Sequence, residues 1–486
     1  MAAVSFFLYS SPEHPVRLPR CPALAFFALL LLLASLTRAE SDPRLALWRE
    51  RVKSVVAVEF YIESEIERRP TIAGGTVIDR EGTIILHGSA IPIHIPPSQL
   101  KDLRVYLPGQ PVSHHATAQY LGPDTASGWH FIRVEEALRG SLVPVTEFVG
   151  GGSDAVTAEI TQEVWGIGLR GKEEEFEPYF LSNRVALLTR LPHLTGIALG
   201  NVTAPQLPVF DQAGRLVGLG LAGFGETFYQ YSRTERGSPL LLVSGDETRV
   251  FRLAADVVPF FARIPRSISG RPSPWLGIMG LQALPAEVAK FLKLENQSAL
   301  VVSEVLEGGP AEAAGVKERD IIVAVDGKPL PRLKPPPVVA GWMEREVALR
   351  APGETLRLSV LRGQERLELS PVLIDEPRML READRQYYDR LGFTIREFLF
   401  TDAVSNRIPE KERSGVIAHF VKSNSPAAAA GLRAEDWVRE IDGVEVKTYA
   451  EAVEVLGRID QDQARREFIL LISRGGETSV LRVKLR

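Results

Sequence analysis

From Ser54 onward the apolar positions come in short bursts that alternate with polar ones and stop at turn residues: Ser54 to Ile62, Gly75 to Ile78, Thr83 to Leu86, Thr117 to Leu121, Val164 to Gly168, Phe180 to Leu188 and Arg215 to Leu219. Bursts of this length predict short antiparallel strands of a barrel, with Asp79-Arg-Glu-Gly82 as a hairpin turn. Near Ala254 the period changes, and Ala254 to Ala262 reads as a closing helix. Further on, one pattern occurs twice: a short Ala-rich helix, a glycine suited to a left-handed cap, an Asp-led strand and a tight Asp-Gly turn. The copies run from Pro310 to Gly327 and from Pro426 to Gly443, aligned without a gap at an offset of 116 residues. Such repetition makes the chain modular.

Each copy resembles a PDZ domain of the kind attached to HtrA-type (Do-like) serine proteases, whose signature runs S-P-A-x-x-A-G-L-x-x-G-D-x-I-x-x-x-N/D-G. The strands upstream are similar to the trypsin-fold domain of that family. Gly75-Thr-Val-Ile-Asp-Arg-Glu-Gly82 matches its G-x-V-I-x-x-x-G, and Val164-Trp-Gly-Ile-Gly168 matches its V-x-A-I-G. The resemblance implies a mainly β protein: a trypsin-like double β-barrel over residues 46–265, then two α+β PDZ domains over 271–375 and 388–486.

The resemblance also tells where catalytic groups should lie. A serine protease needs a nucleophilic hydroxyl, a histidine base and an aspartate that fixes the histidine's tautomer. The family's His lies in T-N-N-H-V, and alignment from Gly82 puts Ser89 in its place, with His87 two residues early. The Asp of D-L-A-V-L corresponds to Gly128, at the start of Gly128-Trp-His-Phe-Ile132. Asp124 belongs to the preceding turn, and His130 reads as an ordinary strand histidine. The Ser of G-N-S-G-G-P-L corresponds to Pro205 or Ala204. Proline there would also remove a backbone N–H from the pair of donors that stabilises an oxyanion. Thr203 is the only hydroxyl between Gly200 and Pro208. The rescue candidates are His87 and Ser238, the latter in Arg236-Gly-Ser-Pro-Leu-Leu, after the Gly214 hairpin instead of before it. The expectation is a protease-like barrel without a triad, and the rival is a serine endopeptidase with a relocated one.

By the same resemblance, the modules bind an extended peptide by strand addition, with a glycine-containing loop that offers amides to a terminal carboxylate. The loop and accepting strand of the first module are Trp275, Leu276, Gly277 and Ile278; those of the second are Leu391, Gly392 and Phe393, running on to Ile395. Tyr449 to Gly457 has the apolar period of the helix that walls the second groove. In the first module the proline run from Pro329 to Pro337 precedes the wall and is expected to reshape or cover the groove.

The chain of 486 residues is long enough for about three domains after its leader. Arg17 and Arg20, the apolar run Ala23 to Ala34 and Thr37-Arg38-Ala39 describe a signal peptide, residues 1–39, cleaved after Ala39. An uncleaved membrane anchor is the minor alternative. The one cysteine, Cys21, falls inside that leader, which leaves no disulfide, thiol nucleophile or thiolate metal site and suits a periplasmic or other extracytoplasmic location. The net charge of −4 gives no sign of nucleic-acid binding. Neither a cofactor nor a metal is expected. The expected partners are peptides or exposed C-termini, active HtrA-type proteases and, by resemblance, two further copies in a homotrimer.

Overall fold

The computed structural model describes residues 43–150, 158–190, 193–221, 228–231, 239–243 and 247–485, with 228–231 and 239–243 described through their backbone. The leader (1–39) and Ser238 lie outside the described residues. Among those described, no helix is long and apolar enough to cross a membrane.

Strands β1 (Val55–Glu63), β2 (Arg68–Val77), β3 (Thr83–His87), β4 (Leu100–Tyr106), β5 (Ala116–Asp124) and β6 (Trp129–Val134) close into a barrel in the order β1-β2-β3-β6-β5-β4. Alternation along β1 sends Val56, Val58 and Phe60 into the barrel core, while Ala57 joins Tyr106 and Phe176 in a second cluster. The β2–β3 turn is the expected one, since Asp79 Oδ1 accepts the Thr83 N–H at 2.9 Å. A second barrel follows: β7 (Glu163–Leu169), β8 (Pro178–Arg190), β9 (Leu194–Ala198), β10 (Pro208–Phe210), β11 (Leu216–Gly220) and, after the hairpin β12 (Phe228–Tyr231) and β13 (Pro239–Val243), β14 (Val250–Leu253). Its order is β10-β11-β14-β9-β8-β7. The trypsin-like double barrel is thus present. Buried Glu59 helps join the halves: Tyr106 Oη donates to it at 2.7 Å and Lys172 of the second barrel pairs with it. Burial alone would raise this carboxyl, but the bonds from Lys172 and Tyr106 more than offset that and hold it below its ordinary range. The predicted closing helix is a single α-turn, Ala254–Val257, continued as a 3-10 stretch through Ala262. Pro259 within it has no N–H to carry an α-helix on.

The first module contains β15 (Pro274–Trp275), β16 (Ile278–Ala283), β17 (Leu300–Val305), β18 (Ile321–Val325), β19 (Lys328–Pro329), β20 (Leu358–Arg362), β21 (Glu365–Leu369) and β22 (Ile374–Asp375). Its main sheet runs β16-β17-β18-β20-β21, and β15 pairs separately with β22. The second module contains β23 (Arg385–Tyr388), β24 (Phe393–Glu397), β25 (Val416–Val421), β26 (Trp437–Ile441), β27 (Val444–Glu445), β28 (Glu467–Arg474) and β29 (Glu477–Lys484), in the order β23-β24-β25-β26-β28-β29. Its first strand begins at Arg385, ahead of the boundary at 388 read from the sequence.

The repeated motif folds identically in both. Gly315 and Gly431 take positive φ (81° and 92°) after their short helices, and Asp326-Gly327 and Asp442-Gly443 have positive φ at both residues, as a type I′ turn requires. The leading aspartates are clamped alike: Arg362 Nε donates to Asp320 at 2.8 Å and Arg474 Nε to Asp436 at 2.6 Å.

Both modules touch the barrels. Asp256, after β14, accepts from Arg345 of the first module's helix Val338–Ala348 at 2.7 Å and lies 2.8 Å from His193 Nδ1. Glu65, in the β1–β2 turn, accepts from Thr394 of the second module at 3.0 Å.

Candidate functional site

Two regions could carry chemistry or recognition: the cleft between the barrels and the grooves of the modules. On the first-barrel side, β3 ends at extended His87, whose ring caps the short turn Gly88–Ala90. His87 Nδ1 accepts the Ser89 N–H at 3.1 Å and lies 2.8 Å from Ser89 Oγ. An Nδ1 that accepts a backbone amide leaves the proton of the neutral ring on Nε2. Gly128 stands at the head of β6 with φ of +71°, and its carbonyl would be 2.4 Å from a Cβ placed on Gly88. The strand ends carrying Ser89 and Gly128 therefore meet, as the alignment requires, yet they bring no carboxylate. A Cβ on Gly128 would find no atom within 4 Å. Asp124 is buried and turned to Arg263, at 3.0 Å. What acts on His87 is burial, followed by the positive charge of Arg252, and both hold its pKa below the ordinary value. Arg252 donates to the Ser127 carbonyl at 3.4 Å. His130 is 7% exposed and its Nδ1 is 2.6 Å from Tyr120 Oη; burial, then the charge of Arg381, pushes its pKa down to about 4.

On the second-barrel side, the loop holding Ala204 and Pro205 leans on β2, where Thr76 Oγ1 donates to the Gln206 carbonyl. Gln206 has φ of +62°. The N–H of Gln206 is bonded to the Gly220 carbonyl at 2.9 Å and that of Leu207 to the Ala204 carbonyl at 3.1 Å. Pro205 has none to offer. Buried Thr203 donates its hydroxyl to the Pro208 carbonyl at 3.3 Å. Around Pro205 the backbone amides of Gln206 and Leu207 are thus spent inside the loop and that of Pro205 is missing, while the buried Gln206 Nε2 has no hydrogen-bond partner.

The module loops are built alike. In the first, the carbonyls of Leu276 and Gly277 accept from Ala311 and Leu306, both at 2.9 Å. In the second, those of Leu391 and Gly392 accept from Ala427 at 3.2 Å and Lys422 at 2.9 Å. Both glycines need the left-handed region, with φ of +76° and +79°. Ile278 opens β16 and Phe393 opens β24, and each module sets a helix alongside: Val338–Ala348 in the first, Tyr449–Gln461 in the second. The proline run reaches that first helix directly, ending at its N-cap Pro337, so the first groove has its far wall. Trp275 extends from its loop to an edge contact with Phe400 of the second module, ring centroids 5.3 Å apart.

A family profile described as PDZ domain matches residues 301–347 and 421–463. The periplasmic pH-dependent serine endoprotease DegQ of Escherichia coli (strain K12) is 26% identical over 251 residues, which cover 49% of this chain and 52% of that protein. A probable periplasmic serine endoprotease DegP-like of Chlamydia pneumoniae is 26% identical over 201 residues, 41% of this chain and 38% of that one. The chain thus spans about half the length, or less, of these curated relatives. Among solved structures, that titled HtrA-type protease AlgW with tripeptide aligns with a TM-score of 0.50 at 16% identity, over 70% of this chain and 99% of that one, a likeness of fold. A double six-stranded barrel followed by two PDZ modules defines the class: a trypsin-like double barrel with PDZ domains after it. Within it, this chain is similar to HtrA/DegQ-like serine proteases with PDZ domains.

Proposed function

We propose that this chain is an exported, extracytoplasmic HtrA-like protein that no longer cleaves peptide bonds and instead captures peptides or exposed protein C-termini through its PDZ grooves, as a scaffold, chaperone-like factor or regulator of active relatives. Its location is inferred from the leader and from relatives named as periplasmic enzymes. Its assembly as a homotrimer rests on family resemblance alone.

The observation that carries the loss of catalysis is the state of His87. A general base must present an unprotonated nitrogen to the nucleophile while a carboxylate holds the proton on the other. His87 spends its Nδ1 lone pair on the Ser89 amide, faces no carboxylate at Gly128, and is acted on by a guanidinium. A positive neighbour disfavours the imidazolium that proton transfer would create. The loop at Pro205 supports the same reading, since its one hydroxyl, on Thr203, is buried and bonded to the Pro208 carbonyl, and Pro205 lacks the backbone N–H that an oxyanion would need.

The rival reading, a working endopeptidase, draws on the enzymes among its relatives and on the 2.8 Å approach of His87 and Ser89. The two readings part in one experiment. Mature full-length chain is treated with a fluorophosphonate and, separately, with an unfolded polypeptide. We expect no serine adduct and no cleavage. Labelling that disappears in Ser89→Ala or Ser238→Ala would establish the enzyme.

A further inference from the structure

The two modules share a recognition loop but lead the chain into it by different routes. In the first, the entering residues form β15 and pair with β22, Trp275 opposite Ile374, and the Ser273 carbonyl accepts the Glu376 N–H at 2.8 Å. β16 is consequently the outermost strand of its sheet, paired on one side by β17. In the second, the entering residues form β23, which folds back onto β24: Arg385 pairs with Arg396, Gln386 with Ile395, Tyr387 with Thr394 and Tyr388 with Phe393. This is the edge to which a ligand strand would add.

The match extends to polarity and to the end residue. β23 runs antiparallel to β24 with its last residue beside the loop, as would a peptide whose carboxyl terminus faces the loop. The Tyr388 carbonyl accepts the Gly392 N–H at 2.7 Å, taking a loop amide that a terminal carboxylate would seek. The Tyr388 side chain is 4% exposed, between Phe393 and the wall helix Tyr449–Gln461, where its hydroxyl donates to the Val453 carbonyl at 3.3 Å. Arg390, in the turn, fastens the hairpin to the end of that helix through the carbonyls of Ile459 at 2.8 Å and Asp460 at 3.2 Å.

We infer that the second groove is a receptor for the chain's own strand Arg385–Tyr388, with Tyr388 seated as its end residue, so that free C-termini are captured by the first module and enter the second only by displacing this strand. The ligand class able to do so is a peptide with a free carboxylate and an aromatic last residue. The inference rests on the modules being peptide receptors, as proposed above, and is independent of whether the barrel cleaves.

The probe is a fluorescent octapeptide repeating residues 381–388 with a free terminal carboxylate, added to the full mature chain. Hydrogen exchange is followed at β16 and β24. Without probe, the β24 amides that face β23 should be protected while the outer amides of β16 exchange freely. Excess probe should then slow β16 and leave β24 unchanged. In the variant Gln386→Pro/Tyr388→Gly, which removes a ladder donor and the seated ring, β24 should lose its protection and the second groove should bind the probe at least tenfold more tightly than in the unmodified chain. Equal exchange at the outer amides of β24 and β16 in the unmodified chain would overturn the inference, and so would equal probe affinity of the second groove in chain and variant. If the variant does not fold, exchange in the unmodified chain decides. A probe that protects neither strand, with β24 already protected, refutes peptide capture by the first module and leaves the internal strand standing.

Discussion

The first and second modules carry the same motif, the same capped Gly and the same Asp–Arg clamp, yet only the first leaves its accepting strand at the margin of the sheet. The difference starts in three or four residues before the loop. Pro272 and Pro274 lack N–H groups, so that segment of the first module is poorly made for a ladder on β16 and lies instead against β22. Arg385-Gln-Tyr-Tyr388 has every donor, alternates its side chains, and ends in a ring that the groove can bury. A binding motif therefore specifies the receptor, while the sequence just outside it decides whether the receptor is open.

The largest effect should come from the loop glycine of the closed module. A Cβ at Gly392 would lie 2.1 Å from Ser425 Cβ, and Ser425 caps the following helix by accepting the Ala428 N–H at 3.1 Å. Left-handed strain of about 1–2 kcal/mol and loss of a cap worth about 1 kcal/mol put Gly392→Ala at roughly 3 kcal/mol of destabilisation. Gly277→Ala meets Gly309 Cα only at 3.0 Å and should cost the strain alone, about 1–2 kcal/mol. Chemical denaturation of the two variants checks the order. Equal costs would mean that the loops are equally tight, and the comparison would lose its structural basis.

Next in size is the contact that joins the modules. Trp275 leads into the open loop and Phe400 belongs to the closed module, and their edge-on rings should be coupled by about 1 kcal/mol in a double-mutant cycle of Trp275→Ala and Phe400→Ala. Arg413 over the Phe400 ring, 5.3 Å from its centroid, remains in both backgrounds of the tryptophan change and cancels from the cycle. If the cycle is read as affinity of the first groove for the octapeptide, a coupling near zero would show that the second module does not support the open one.

Much of this architecture is legible in the sequence. Bursts of apolar residues mark β1, β3, β5, β7, β8 and β11 to within a few positions, because each side of a closed sheet must alternate. By contrast, β2 begins at Arg68, well ahead of its burst at Gly75, and β4, β9 and β14 carry no burst. Asp-Gly pairs and the Ala-rich caps mark the modules, because few residues tolerate their backbone angles. The meeting of Ser89 with Gly128 follows from alignment. Arg252 beside His87 does not, because 165 positions separate them and a single arginine inside Val250–Leu253 carries no local signal. The same holds for Asp256, which reaches His193 and Arg345 only once the barrel and the first module have docked. The route of β23 left a trace, the polar–aromatic Arg-Gln-Tyr-Tyr run, but it falls outside any recognition motif.

The smallest effect separates the modules by pH. The first module has no histidine between residues 271 and 375, whereas the second has His419 on β25. Burial, then the charges of Arg385 and Arg396, push His419 down to about 4, against partial compensation from Glu65 and a further push from His94. Its Nε2 is 3.0 Å from Arg385 Nη1, so the neutral ring accepts from an arginine that belongs to β23 itself. Because the folded-state pKa lies below the unfolded value of about 6.5, the unfolded chain binds the extra proton in that window. The contribution of His419 is thus complete above pH 6.5 and is lost progressively as pH falls toward 4. Between pH 7 and 6 only part of the unfolded histidine is charged, which keeps the effect small. The protection factors of the β24 amides, corrected for the slower intrinsic exchange at low pH, should fall on acidification more than those of β17, and His419→Gln should flatten that difference. An unchanged pH response in the variant would mean that Arg385 and β23 are held without regard to the ring beside them, and that acid does not loosen the closed groove through this histidine.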